Sequence, residues 1–229
     1  MARATTMQAA SEVRFNRFLA GVYLVMAVGL AITALVSSWV STNENLIKRI
    51  LFDPWFTFGL FIIQIIIVVT LSAAVMRFSP VVAFLLFLGY AAVTGVTISS
   101  IFIYYSQSTI AYTFWVAAGM FLFSSAVGLF IKRDLSGIGM FLLLALMGWM
   151  FGWVITWFLP ISSGFNQVMN FTGILLFAAL TVWDTQRLKQ LSAKLEGQRG
   201  MGGMIVVGAL ALYLDFINLF LLLLRASRR

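Results

Sequence analysis

The run FLAGVYLVMAVGLAITALVSSW, Phe18 to Trp39, carries no charged side chain and no proline. A helix rises about 1.5 Å per residue, so a run of this length crosses a hydrocarbon layer about 30 Å thick. It is too long for the apolar core of a signal peptide and no convincing small-residue cleavage site follows it, so it reads as a retained membrane helix, 18–39. The polar segment before it, residues 1–17, carries Arg3, Arg14 and Arg17 and is expected to stay on the cytoplasmic side.

Six more apolar runs follow. Asp53-Pro54 offers an N-cap and a first-turn proline for a helix over 55–76. Ser79-Pro80 repeats the device for 80–105, and Lys132-Arg133-Asp134 closes 110–131. Further helices are expected over 136–159, ending at Pro160, then over 165–187 and 204–224. Val40 to Phe52 reads as a loop. The fold class is all-α: one seven-helix transmembrane domain over 18–229.

Composition agrees. The chain is 62% hydrophobic and 10% charged, where a soluble domain is nearer half apolar and about a quarter charged. A soluble enzyme, a disordered chain and a free-standing binding module are excluded. There is no Cys and no His, which removes disulfides, thiolate sites and the usual neutral-pH base. Any pH response must come from carboxylates, any metal contact from oxygen ligands. No cofactor is expected. The net charge of +8 sits in short segments between spans, so the expected partner is the lipid bilayer rather than nucleic acid.

With the N-terminus inside, the inner segments carry Arg3, Arg14, Arg17, Arg77, Lys132, Arg133, Arg187, Lys189, Lys194 and Arg199, against Lys48 and Arg49 outside. That bias sets the orientation of the first six helices. A seventh full span puts Arg225, Arg228 and Arg229 outside, whereas a re-entrant segment would keep them in. Met204 to Leu224 is long enough to cross, which favours the full span. Thr185 to Gly200 reads either as a continuation of helix six along the inner surface or as a solvated basic loop. Gly148 and Gly152 form a small-residue pair suited to close helix packing.

Asp215 stands in mid-span, within Ala211-Leu212-Tyr213-Leu214-Asp215-Phe216-Ile217-Asn218. An ionisable group there is costly, so it should face protein or water and have a partner and a role. The plainer reading is a protonated Asp making one interhelical hydrogen bond. Asn218 shares its face. Asp184 ends the apolar part of helix six, with Thr181, Asn170 and Asn166 spaced behind it. Helix three carries Tyr90, Thr94, Thr97 and Tyr104. Two such stripes read as a hydrated path or as a polar seam, and each Thr can equally bond back to its own helix. Arg77, at the inner end of helix two, is either a headgroup anchor or the ion-pair partner of Asp184.

The segment Leu210 to Phe220 resembles the C-terminal signature of the Bax inhibitor family, the transmembrane Bax inhibitor motif proteins. Lys132-Arg133-Asp134-Leu135-Ser136 and Trp183-Asp184-Thr185-Gln186 are similar to its bacterial branch, and the likeness covers nearly the whole chain. The resemblance implies seven helices, the last wrapped by the other six. It also implies a pH-sensitive calcium leak in a bacterial inner membrane, governed by an aspartate pair matching Asp184 and Asp215. Calcium, as permeant ion, would bind this pair transiently. An arginine matching Arg77 would latch onto the first aspartate in the closed state. Family members can carry an acidic residue within helix two, where this chain has Gln64.

Two carboxylates in contact in a low dielectric cannot both ionise cheaply, so the pair should titrate in coupled steps and share a proton. Acid would then neutralise Asp184, weaken the Arg77 latch and open a path lined by Asn218, Asn166, Asn170, Thr181, Thr94 and Thr97. Calcium and protons would compete for the same group. The alternative is a non-conducting regulator that binds a membrane protease or another membrane partner. An intramembrane aspartyl protease is disfavoured, because Asp215 follows Tyr213-Leu214 rather than a Gly-x-Gly run, and no enzyme activity is expected. Straight-helix arithmetic puts Asp215 about 16 Å past Met204, so the aspartates meet only if helix six runs on inward or helix seven starts late.

Overall fold

The computed structural model describes residues 2–74, 78–131, 133–156, 158–159, 162–194 and 201–227. All the regular structure among them is α-helical: α1 (Ala2–Ser41), α2 (Glu44–Phe52), α3 (Pro54–Ala74), α4 (Pro80–Ile98), α5 (Ile101–Tyr104), α6 (Gln107–Phe130), α7 (Ser136–Ile155), α8 (Ser163–Lys194) and α9 (Met201–Ala226). Seven of them are long and apolar enough to cross a membrane: α1, α3, α4 with α5, α6, α7, α8 and α9.

The capping signals act as their chemistry dictates. The Asp53 carboxylate accepts from the amides of Trp55 and Phe56, both at 3.1 Å, and Pro54 opens α3 behind it. The Ser79 hydroxyl accepts from Val82 N–H at 3.3 Å, with Pro80 first in α4.

Five boundaries depart from the sequence reading. Residues 2–17 are helical and continuous with the first span, because the segment contains no Gly or Pro to interrupt a run of good helix formers. Val40 to Phe52 is not a loop throughout. Asn43 caps α2, its side chain accepting from Leu46 N–H at 3.2 Å, and Ile47 and Ile50 bury one face against Val40. The third span is broken after Ile98, where the Ser99 amide and hydroxyl both turn back to the Val96 carbonyl; such local bonds compete with helix propagation. α7 stops at Ile155, and Pro160 lies outside the described residues. α8 runs unbroken to Lys194, so the polar stretch from Thr185 is helix at least that far.

α9 is a continuous helix of 26 residues, about 39 Å long at 1.5 Å per residue. That length and continuity leave no re-entrant turn. It is also the most enclosed of the spans: 67% of its most apolar window is buried, against 6% to 39% for the others. A last helix wrapped by its neighbours requires that burial.

The chain forms two compact units. Unit 1 comprises Met1–Gln107 with Gln190–Tyr213, and unit 2 comprises Ser108–Lys189 with Leu214–Arg229. In unit 1, the Tyr213 ring is fully buried and meets Phe87 and Tyr90 edge-on at 5.6 and 5.8 Å. In unit 2, Phe216 packs edge-on against Phe114 and Phe121 at 5.4 and 5.6 Å. The glycine pair of α7 behaves unequally: Gly152 abuts Met169, while Gly148 faces open space.

Candidate functional site

Two carboxyl groups meet inside unit 2. Asp215, 4% exposed, lies beside half-buried Asp184, close enough for the two side chains to interact. An ionised carboxylate only accepts hydrogen bonds, so a hydrogen bond between the two needs at least one proton on the pair. Asp215 also faces the Thr181 hydroxyl, one turn from Asp184 on the same face of α8. Thr181 is fully buried, and its hydroxyl lies 2.8 Å from the Phe177 carbonyl. One hydroxyl proton serves one acceptor at a time, so Thr181 donates either to its own helix or to Asp215. Asp215 Oδ2 is buried without a hydrogen-bond partner.

The length of α8 makes the meeting possible. Asp184 lies ten residues before Lys194, about 15 Å up the helix, and Asp215 lies 14 residues after Met201, about 21 Å up α9. A helix six ending near Asp184 would have left the two groups at different depths.

Known proteins are similar to this chain almost end to end. The family model described as Inhibitor of apoptosis-promoting Bax1 matches residues 15–227. Inner membrane protein YbhL of Escherichia coli K12 is 41% identical over 211 residues, covering 91% of this chain and 89% of YbhL. A Borreliella burgdorferi protein is 39% identical over 212 residues, with 92% and 90% covered. A Streptococcus pyogenes membrane protein is 36% identical over 221 residues, with 96% and 95% covered. The chain belongs to the Bax inhibitor family.

In this Bax inhibitor family protein, α8 is pressed closely against its neighbours beside the pair. Gly128 of α6 faces the Val182 carbonyl and Thr185 with no room for a side chain. The hydroxyls of Ser125 and Thr185 meet at 3.0 Å. The Trp183-Asp184-Thr185-Gln186 stretch reaches the Lys132-to-Ser136 stretch through Gln186, whose amide bonds the main chain at Arg133 and Leu135. The exposed Arg187 guanidinium lies over the Trp183 ring, 5.4 Å from its centroid, and its charge acts on Asp184.

Within unit 2, none of the asparagines singled out from the sequence is hydrogen-bonded to the pair. Asn218 donates to the Leu214 carbonyl of its own helix at 2.8 Å. Asn170 is buried near the far end of α8, donating to the Leu222 carbonyl at 3.0 Å, with Oδ1 left without a partner. Asn166 is exposed. Thr94 and Thr97 belong to unit 1. Thr94 bonds back to the Tyr90 carbonyl at 3.0 Å, while Thr97 accepts from Gln64 at 2.6 Å. Arg77 lies outside the described residues. Among the described residues no three acidic side chains cluster in a way that could hold a metal ion.

Sequence reading gave no site role to Ser125, Thr185, Gln186 or Lys189. Polar side chains at Thr185 and Gln186, directly after an apolar span, were the available signal. Their partners lie on α6 and the α6–α7 connector, far along the chain.

Proposed function

We propose that this Bax inhibitor family protein is a pH-sensitive calcium leak of a bacterial inner membrane, gated by the Asp184–Asp215 pair and closed by an Arg77 latch on Asp184. The observation that carries the reading is the carboxyl–carboxyl contact, buried among membrane spans, with Asp215 Oδ2 unclaimed by any donor among the described residues. A mid-span carboxyl is expensive and marks ion or proton routes. This pair holds its contact only with a proton bound, so acid and a divalent cation act on the same oxygens. Calcium prefers six to eight oxygen ligands, and two carboxyls with one hydroxyl supply few. That suits an ion in transit better than one that resides.

The inner-membrane assignment draws on YbhL, which is named an inner membrane protein. The excess of Lys and Arg in alternate segments favours a cytoplasmic N-terminus, and seven spans then carry the C-terminus outside.

A second reading has its own support. Asn218, Thr181 and Thr94 each bond to their own helix, as in a packing seam, and a chain whose polar groups serve packing would act as a non-conducting regulator of a membrane protease or another membrane partner. Calcium flux into liposomes carrying the purified protein, stepped from alkaline to mildly acidic pH beside Asp215→Asn, separates the two. Acid-stimulated flux lost in the variant supports the leak. Flux no greater than that of empty liposomes at every pH sinks it and favours the regulator.

A further inference from the structure

α2 is nine residues long, roughly 13 Å of helix, and too short to cross a hydrocarbon layer. It joins the end of α1 to the start of α3, two membrane spans, so it lies at a membrane surface. Its two faces differ. Ile47 and Ile50 are buried against Val40, with Leu46, Leu51 and Phe56 packed around them. The other face, Glu44, Asn45, Lys48, Arg49 and Phe52, is exposed. The helix is fixed at both ends: Asn43 caps it through Leu46 N–H, and the Thr57 hydroxyl of α3 donates to the Ile50 carbonyl at 2.9 Å. The exposed face is therefore held still relative to the first turn of α3.

That face combines bare aromatic rings with cations. Phe52 is 78% exposed, and Trp55, in the first turn of α3, is 82% exposed. Such rings are costly in water but suit the headgroup level of a bilayer, where an indole N–H can donate to a lipid oxygen. Lys48 and Arg49 are the only Lys or Arg between Arg17 and Arg77. Lys48 is paired with Glu44 at 3.3 Å. The Arg49 guanidinium has no hydrogen-bond or ion-pair partner among the described residues. The nearby Asp53 carboxylate accepts from the Trp55 and Phe56 amides, where the positive end of the α3 dipole offsets its charge.

We infer that the exposed face of α2 is a binding site for an anionic phospholipid. Arg49 takes the phosphate, whose geometry matches the guanidinium fork. Trp55 N–H meets the ester oxygens, and Phe52 lies among the first chain carbons. A zwitterionic headgroup carries an ammonium that competes with Arg49 for the phosphate, whereas phosphatidylglycerol carries none. A soluble phosphate would satisfy Arg49 but leave Phe52 and Trp55 in water, so a lipid is the occupant that fits the whole patch. The inference goes beyond the leak and is independent of conduction and of the leaflet that α2 faces.

Two measurements on the full chain test it, and neither reads ion flux. Because the chain has no native Cys, Asn45→Cys can carry a fluorophore on the same exposed face, in phosphatidylcholine nanodiscs. Phosphatidylglycerol bearing a nitroxide near the top of its chains should quench it more than phosphatidylcholine bearing the same nitroxide. The expected preference is roughly two- to fivefold, the scale of one screened surface contact, and it should shrink in high salt. Arg49→Gln should abolish the preference and Arg49→Lys keep part of it. Glu44→Gln, which releases Lys48, should increase it; a face that serves packing alone would not respond.

The second measurement is thermal unfolding in detergent with added phosphatidylglycerol, phosphatidylcholine or glycerol phosphate. Phosphatidylglycerol should raise the midpoint most, and the excess should vanish in Arg49→Gln. Equal quenching by the two lipids, or a preference that survives Arg49→Gln, overturns the inference. Glycerol phosphate acting as strongly as the lipid overturns it too, since the site would then take a free anion. Should Arg49→Gln fail to accumulate, the comparison of the two lipids beside the unaltered Arg49 still decides.

Discussion

Asp184 and Asp215 touch through their carboxyl groups although 31 positions of chain separate them. A contact between two acids that needs a bound proton is favoured by acid and lost as pH rises. The stability it contributes is therefore present at low pH and disappears once both groups ionise. Thermal unfolding in detergent should give a higher midpoint in mild acid than at alkaline pH. In Asp184→Asn, where the amide supplies the donor at every pH, that dependence should flatten. A midpoint equally sensitive to pH in the variant would assign it to other groups.

Thr181→Val keeps the shape of the side chain and removes the hydroxyl that faces Asp215 and bonds the Phe177 carbonyl. It leaves a buried carboxyl with one partner fewer, at a cost of about 1–3 kcal/mol. Thr181→Ser should recover most of it. Unfolding midpoints of the three chains, measured side by side, give the comparison.

Two glycines offer a matched pair. At Gly128 a methyl group meets the Val182 carbonyl and Thr185, whereas at Gly148 it meets nothing. Gly128→Ala should cost about 1–3 kcal/mol, because an overpacked contact forces the helices to shift. Gly148→Ala should be neutral or stabilising by up to about 1 kcal/mol, since Ala is the better helix former. Equal stabilities of the two variants would mean that α6 and α8 are not in the close contact described.

Tyr213 and Thr33 share a hydrogen bond of 2.6 Å in unit 1, and the Thr33 hydroxyl also lies 2.9 Å from the Ala91 carbonyl. Tyr213→Phe keeps the edge-on ring contacts with Phe87 and Tyr90 and loses only the hydroxyl. The expected destabilisation is about 0.5–1.5 kcal/mol, the net worth of one hydrogen bond. Tyr213→Ala, which also empties the space of a large ring, should cost several-fold more.

Local chemistry was legible in the sequence where it is strong and short-ranged. Asp53-Pro54 and Ser79-Pro80 announce helix starts because cap and proline act within one turn. Asp215 stands out because a charge amid apolar residues is costly. α2 escaped notice because its pattern, Ile47 and Ile50, spans a single turn. The break at Ser99 depends on which carbonyl a hydroxyl chooses, which periodicity does not report. Spacing placed Asn166 and Asn170 near one face of α8, yet the first is exposed and the second buried, because spacing does not say where protein cover ends. Gln186 was unreadable in its role, since its partners are main-chain atoms 51 and 53 positions away.

The burial of α9 has a consequence for how the chain is made. Synthesis runs from the N-terminus, so the most enclosed helix is the last to leave the ribosome. Until it arrives, Thr33 lacks the Tyr213 hydroxyl, Asp184 lacks Asp215, and Asn170 has no Leu222 carbonyl to meet. Six spans must wait in lipid with polar groups bare, which is the kind of surface that membrane quality control detects. A chain truncated before Met201 should insert and then be degraded quickly, as pulse-chase labelling would reveal, and α9 expressed in trans should prolong its lifetime.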